Sequence, residues 1–247
     1  MGKAQKLKVQ RKIDRKIEEQ EKKNKRKLIK KLSIGILLLI ILGIGAYSGS
    51  IYVKKNWPNQ NKATATTDKT AKHKTYSKEP DMQIDVKKTY IAKLETNRGN
   101  FEIQLNAKDA PKTVNNFVFL SKEGFYNGLT FHRIVKDFMI QGGDPKGDGT
   151  GDPGYKFNDE NIVGDYTPGT VAMANSGKNT NGSQFFIMTG DYSKGKLQKN
   201  YVIFGKVISG MDIVKQIGQS ATADNGQGEQ SKPKEQVLIN KITIEEK

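Results

Sequence analysis

From Thr89 onward the apolar positions fall into short alternating runs. Tyr90, Ala92 and Leu94 alternate with Lys93 and Glu95, Asn97-Arg98-Gly99-Asn100 supplies a turn, and Phe101, Ile103 and Leu105 alternate with Glu102 and Gln104. Period two on both sides of a Gly/Asn turn predicts a β-hairpin. Pro111 then suits the first turn of a helix, Val114, Phe117 and Val118 give it an apolar face, and Gly124 fits its stop. A second, shorter helix is expected from Met211 to Ile217, between Ser209 and Gly218. Further strand-like runs are Phe185–Met188, Tyr201–Ile208 and Val237–Ile244, and the rest of this half is dense in Gly, Asn and Asp. Two helices among many short strands predict a mainly β domain, a closed or nearly closed antiparallel barrel. No internal repeat is present.

The N-terminal part has a different pattern. Leu32 to Val53 is a run of 22 residues without a charge. As a helix it would span roughly 33 Å, enough for a hydrocarbon core of roughly 30 Å. Tyr52 and Trp57, the only tryptophan, stand at its end, where amphipathic rings favour the headgroup layer. Residues 54–88 read as a linker, polar, without apolar periodicity and holding Pro58 and Pro80. A flexible chain of that length reaches roughly 30–35 Å. The expected organisation is a basic segment 1–31, a single transmembrane helix 32–53, a flexible linker 54–88 and a folded domain 89–247.

Charge changes the picture at the N-terminus. The net charge is +16, but residues 1–31 hold 14 Lys/Arg against 4 Asp/Glu, a net of +10, which leaves +6 for the other 216 residues. A uniformly basic protein would point to nucleic acid. A basic head beside an apolar span points instead to topology and to attraction for anionic lipid, at about 1 kcal/mol per basic residue near the surface. Only Lys54 and Lys55 follow the span immediately, so the N-terminus is expected in the cytoplasm and the C-terminal domain outside. A cleaved signal peptide fits less well: the segment before the run is long, and the run exceeds the usual core of about 7–15 residues. An uncleaved signal anchor in the cell membrane, crossing once, is the expectation. Nucleic-acid or ribosome association through residues 1–31 is the competing reading.

Composition excludes several chemistries. There is no cysteine, so disulfides, thiolate zinc sites, iron–sulfur clusters and cysteine nucleophiles are ruled out, and with only His73 and His132 a histidine-rich metal site is ruled out too. Gly147-Asp148-Gly149-Thr150-Gly151-Asp152 lacks the Lys-Ser/Thr of a P-loop and the ligand spacing of an EF-hand, and reads as a structural glycine-rich loop. No Gly-x-Ser-x-Gly elbow accompanies His132.

Two stretches carry candidate chemistry. One is Phe131-His132-Arg133-Ile134-Val135-Lys136-Asp137-Phe138-Met139-Ile140-Gln141-Gly142-Gly143-Asp144, and the other runs from Met173-Ala174-Asn175 to Gly182-Ser183-Gln184-Phe185-Phe186. Polar donors stand directly beside aromatics, and Arg133 precedes its Phe-Met pair by a strand's length. Strand geometry can then bring a guanidinium, an amide and an apolar surface to one face.

Both stretches, with Tyr201-Val202-Ile203-Phe204-Gly205-Lys206-Val207 as a third, resemble the signature segments of cyclophilin-type peptidyl-prolyl cis/trans isomerases. The resemblance runs from about residue 89 to the C-terminus. It implies an eight-stranded antiparallel barrel capped by two helices, working on proline-containing polypeptides without metal or organic cofactor. By position, Arg133 matches the catalytic arginine. Phe138, Met139, Phe186 and Leu197 match the walls of a proline pocket, and Gln141, Ala174, Asn175 and Gln184 match groups that hold the peptide backbone. His132 matches a pocket-edge histidine. Tyr201 stands where vertebrate relatives have a histidine, and Lys196 where they have a tryptophan, which removes the indole expected to contact cyclosporin. Together with the anchor, the resemblance implies an isomerase acting on unfolded or exported chains, and no nucleic acid is expected as partner. The alternative is a membrane-anchored proline-peptide binding module or holdase without catalysis.

Overall fold

The computed structural model describes residues 74–193, 195 and 197–247. The basic segment 1–31, the expected span 32–53, the first part of the linker and Lys196 lie outside them. Among the described residues no helix is long and apolar enough to cross a membrane.

The first hairpin forms where the alternation predicts it. β1 (Tyr90–Thr96) and β2 (Gly99–Leu105) pair antiparallel, with Tyr90 opposite Leu105, Ala92 opposite Ile103 and Leu94 opposite Phe101. All six side chains are buried. The turn needs Gly99: its φ is 120°, and a Cβ there would sit 2.9 Å from Ile213 Cδ1.

Helix α1 (Pro111–Lys122) begins with its proline and stops just before Gly124, which takes a left-handed φ of 70°. Ala110 at its N-cap has no side-chain acceptor to offer. The exposed N–H groups are met from a distance. The Glu160 carboxylate accepts from the Lys112 N–H at 2.9 Å, the Thr113 N–H at 2.8 Å and the Thr113 hydroxyl at 2.7 Å. A negative charge there also complements the positive end of the helix. The buried face of α1 centres on Phe117, whose ring lies 5.1 Å from Tyr126, 5.4 Å from Phe185 and 5.2 Å from Phe204. These rings are the middle of the main core.

The remaining elements are β3 (Arg133–Val135), β4 (Met139–Gly142), β5 (Thr170–Met173), β6 (Phe185–Met188), β7 (Ile203–Ser209), α2 (Met211–Gly218), β8 (Thr222–Asp224), β9 (Gln230–Pro233) and β10 (Ile239–Glu246). Eight strands form one sheet in the order β10-β1-β2-β7-β5-β6-β4-β3, and β8 and β9 make a separate hairpin. Every ladder in the large sheet is antiparallel.

The expected closed barrel is corrected: the sheet is curled but open, with β10 and β3 as its two edges. The physical reason lies in the segment before β3. Gly128 and Phe131 donate N–H groups to Ile239 and Val237 carbonyls at 2.8 and 2.9 Å, Ile239 N–H donates to the Leu129 carbonyl at 2.7 Å, and Thr130 bridges Leu238. That short stitch spans the gap, after which the chain turns into a three-residue β3 that pairs only with β4. The other side of β3 faces β9.

The fold also reaches further upstream than Thr89. Ile84 is buried in the main core, and Tyr76 packs edge-on against Phe119 at 5.1 Å. Tyr76 N–H donates to the Pro153 carbonyl at 2.8 Å, and Gln83 N–H donates to Asn115 Oδ1 at 2.8 Å. Residues 74–88, read from sequence as the end of a linker, are therefore part of the folded unit.

Candidate active site

The register of three strands builds the site. β3 and β4 set Arg133 opposite Gln141, and β4 and β6 set Gln141 opposite Phe186 and Met139 opposite Met188. Directly paired residues project to the same side of a sheet, and alternate residues along a strand share a face. Arg133, Gln141, Met139 and Phe186 thus share one face. Their neighbours Ile134, Ile140 and Ile187 share the other and enter the main core.

On the site face Met139, Tyr166, Ala172, Phe186, Met188 and Ile203 form a second apolar cluster. Phe138, Ala174, Leu197 and Tyr201 pack against it half-buried. Phe186 and Tyr201 meet perpendicularly with ring centroids 5.4 Å apart, and Phe138 leans on Tyr192 at 4.4 Å. Tyr166 fixes this wall: its hydroxyl donates to the Tyr201 carbonyl at 2.8 Å and accepts from the Tyr201 N–H at 3.1 Å.

A chain of polar contacts borders the cluster. Arg133 Nη1 donates to Gln141 Oε1 at 3.2 Å and lies 3.9 Å from Met139 Sδ. Its Nε and Nη2 donate to Glu229 Oε2 and Oε1 at 2.7 and 2.6 Å. Gln141 Nε2 donates to Gln184 Oε1 at 3.0 Å, and Gln184 Nε2 donates to the Gly149 and Gly151 carbonyls at 3.0 and 2.8 Å. That glycine-rich loop is held by the buried Asp144 carboxylate, which accepts from the Lys146, Asp148 and Gly149 N–H groups. The loop is structural, as its sequence predicts. Asn175 Nδ2 donates to the Asn200 carbonyl at 2.9 Å, and its Oδ1 accepts from the Gly177 N–H, so this side chain braces its own loop and ties it to the loop at Asn200. A cavity of about 150 Å³ lies among Gln141, Ala174, Asn175 and Gln184, and a second of about 630 Å³ among His132, Arg133 and Glu229.

Glu229 and His132 are among the groups with displaced titrations. Charge-assisted hydrogen bonds from Arg133 hold the Glu229 carboxyl below the usual carboxylate range. Burial holds His132 below the usual imidazole range, against the opposing pull of Asp144.

The profile of the family described as cyclophilin type peptidyl-prolyl cis-trans isomerase/CLD matches residues 91–244. This chain belongs to that family. The chain is 42% identical over 139 residues to the peptidyl-prolyl cis-trans isomerase of Helicobacter pylori, covering 55% of this chain and 84% of the relative. It is 43% identical over 176 residues to peptidyl-prolyl cis-trans isomerase A of Mycobacterium tuberculosis, covering 63% and 92%. Among solved structures, a cyclophilin-type isomerase of Cryptosporidium parvum superposes with a TM-score of 0.58 at 36% identity, covering 64% of this chain and 98% of that one. The same protein in the presence of the dipeptide Ala-Pro superposes with a TM-score of 0.57. With such relatives spanned over most of their length, the chain is a peptidyl-prolyl cis-trans isomerase.

In this cyclophilin-type isomerase all eleven residues singled out from sequence lie on the described part of the chain. Arg133, Met139, Gln141, Gln184 and Phe186 are linked by direct contact or strand register, and Phe138, Ala174, Leu197 and Tyr201 join them through the second apolar cluster. His132 and Asn175 line the flanking cavities. Sequence reasoning missed three supporting residues. Tyr166 and Tyr192 lie in loops without periodicity. Glu229 lies in the Asn225-Gly226-Gln227-Gly228-Glu229 stretch, which reads only as a turn.

Proposed function

We propose that Arg133 accelerates rotation about X-Pro bonds by stabilising the twisted amide, in proteins that have crossed the cytoplasmic membrane. The observation that carries the mechanism is the position of the guanidinium, 3.9 Å from Met139 Sδ at the rim of the apolar cluster and 3.2 Å from Gln141.

Partial double-bond character gives the peptide C–N bond a rotation barrier of about 18–20 kcal/mol. Prolyl bonds left alone take roughly tens of seconds or longer to isomerise. When the amide twists, resonance is lost and the prolyl nitrogen gains a lone pair that a planar amide does not offer. A fixed N–H donor aimed at that nitrogen binds the twisted form better than either planar isomer, and only such differential binding speeds the step. Each 1.4 kcal/mol of it is worth about tenfold in rate. Phe138, Met139, Phe186 and Leu197 are the surface for the proline ring, with Tyr201 behind Phe186. Gln141, Gln184 and the backbone at Ala174 and Asn175 are the groups for the flanking peptide, and His132 borders them. No proton transfer or covalent intermediate is involved.

The site of action follows from residues 1–53. A basic head, a 22-residue uncharged span and a nearly neutral remainder support a single-pass anchor with the isomerase outside the membrane and anionic lipid under the head. Newly exported chains that must complete slow prolyl steps are the substrates this location selects.

Replacing Arg133 with Ala should remove most turnover of a proline peptide, measured by exchange NMR, while the circular dichroism spectrum is unchanged; turnover at the wild-type rate would end the mechanism. Protease added to intact cells should degrade the folded domain and spare residues 1–31. The opposite pattern would end the proposed location.

A further inference from the structure

Arg133 ends in five N–H donors, and the fold commits two of them to a single carboxylate. Nε and Nη2 reach the two oxygens of Glu229 at 2.7 and 2.6 Å, a side-by-side pairing that fixes the plane of a guanidinium. Glu229 comes from the turn between β8 and β9, 96 residues away in the chain. Among the described residues it is the one carboxylate within ion-pair distance of Arg133. The opposite edge, Nη1, is the one that meets Gln141 and Met139.

We propose that Glu229 is a positioning residue for isomerisation, clamping the guanidinium so that its Nη1 edge stays turned to the apolar cluster. This role rests on the reading of Arg133 given above. A free arginine samples many rotamers, and every one that turns the fork away is unproductive. Donors held in place beforehand need no reorganisation as the amide twists. The clamp is needed because Arg133 is only half-buried, with its side chain 33% exposed, and packing alone does not lock it.

The turn of the hairpin is held by bonds that do not use this side chain. Asn225 and Ser231 N–H groups both donate to the Glu229 carbonyl at 2.9 Å. Asp224 Oδ1 accepts from the Gly226 N–H at 2.6 Å, and Asn225 Oδ1 accepts from the Gln227 N–H at 2.9 Å. Ser231, 1% exposed, belongs to β9, the strand that lies against β3. Changing the Glu229 side chain therefore removes the clamp and leaves these bonds of the turn in place.

Charge and position pull in opposite directions here, which makes the proposal testable. Removing a carboxylate raises the positive potential at the site, so an account based on charge alone predicts faster turnover for Glu229→Gln. The positioning account predicts slower turnover. In the full chain, Glu229→Gln should lower kcat about tenfold with KM within about twofold, the size expected for freeing one rotamer-rich side chain, and shift the melting temperature by no more than about 4 °C. The Arg133 Nε–H resonance should lose its protection from solvent exchange in the same variant, and Glu229→Asp should recover part of both. Wild-type or faster kcat in Glu229→Gln, or a rise confined to KM, would overturn the clamp. Arg133→Ala measured alongside separates the two readings: if it is inactive while Glu229→Gln is normal, only the clamp fails, and if it is active, the arginine mechanism itself fails.

Discussion

Arg133→Lys separates directed donation from mere positive charge. Lysine keeps the charge but offers three N–H groups on one atom, whereas the guanidinium spreads its donors over two edges. In the native site one edge serves Glu229 and the other meets Gln141 and Met139. A single ammonium cannot occupy both places. Losing one preorganised donor to the transition state costs about 2.7–4 kcal/mol in comparable sites, a factor of about 10²–10³ in rate. The cost to the fold is far smaller. The Arg133 and Glu229 side chains are 33% and 39% exposed, and ion pairs this open contribute about 0.2–1 kcal/mol. For a domain of this size that is a shift of no more than about 4 °C in melting temperature. The expected result is kcat/KM reduced at least about a hundredfold in a proline-peptide assay, beside a nearly unchanged thermal melt. If Arg133→Lys keeps more than a third of wild-type kcat/KM, a cation near the pocket suffices and donor geometry is not the source of catalysis.

Further expectations concern the supports of the site. His132 is held below its ordinary value of 6.5 by burial, with Arg133 reinforcing the shift and Asp144 and Asp148 opposing it. Below about pH 6.5 the unfolded chain therefore binds a proton that the folded chain resists, and stability falls with pH until the folded value is passed. His132→Asn should flatten that fall in urea titrations between about pH 7 and 5, and an identical slope in both proteins would show that the histidine is not its source. Glu160→Ala removes three hydrogen bonds from the start of α1 and should cost about 2 kcal/mol, lowering the melting temperature by about 4–8 °C; an unchanged melt would mean the helix needs no remote cap. Tyr166→Phe leaves the Tyr201 N–H and carbonyl without their partner. It should raise KM several-fold with little change in kcat, together with a loss of about 1–3 kcal/mol in stability; a fall in kcat alone would place Tyr166 in the chemical step instead.

The first hairpin was legible because Tyr90, Ala92, Leu94, Phe101, Ile103 and Leu105 alternate with polar residues around a glycine turn. Both helices were legible from their punctuation, Pro111 and Gly124 for α1 and the Ser209 to Gly218 frame for α2. Phe185–Met188 falls where the apolar run puts it. β3, β4 and β5 were not called as strands, because they are only three or four residues long and β5 is buried along its whole length, so period two has no room to appear. The strand expected at Tyr201–Ile208 begins instead at Ile203, since Tyr201 is held in a loop by Tyr166. The β8–β9 hairpin carries almost no apolar signal, and neither does the segment from residue 74 to Ile84, whose single aromatic anchor, Tyr76, looks like any linker tyrosine until its partners are known.

By itself the sequence determined what short-range physics controls: strand alternation, helix ends, the turn at Gly99, the charge asymmetry about the apolar run, and three ordered segments whose resemblance named the family. Tertiary structure alone decided what depends on residues distant in the chain. It left the sheet open at β3 and β10, capped α1 with Glu160, and brought Glu229 onto Arg133. Alternation and turn chemistry are written within a few residues of one another, so they can be read directly. The register between β3, β4 and β6 and the docking of one loop on another are fixed only when the whole core packs, and no local pattern records them.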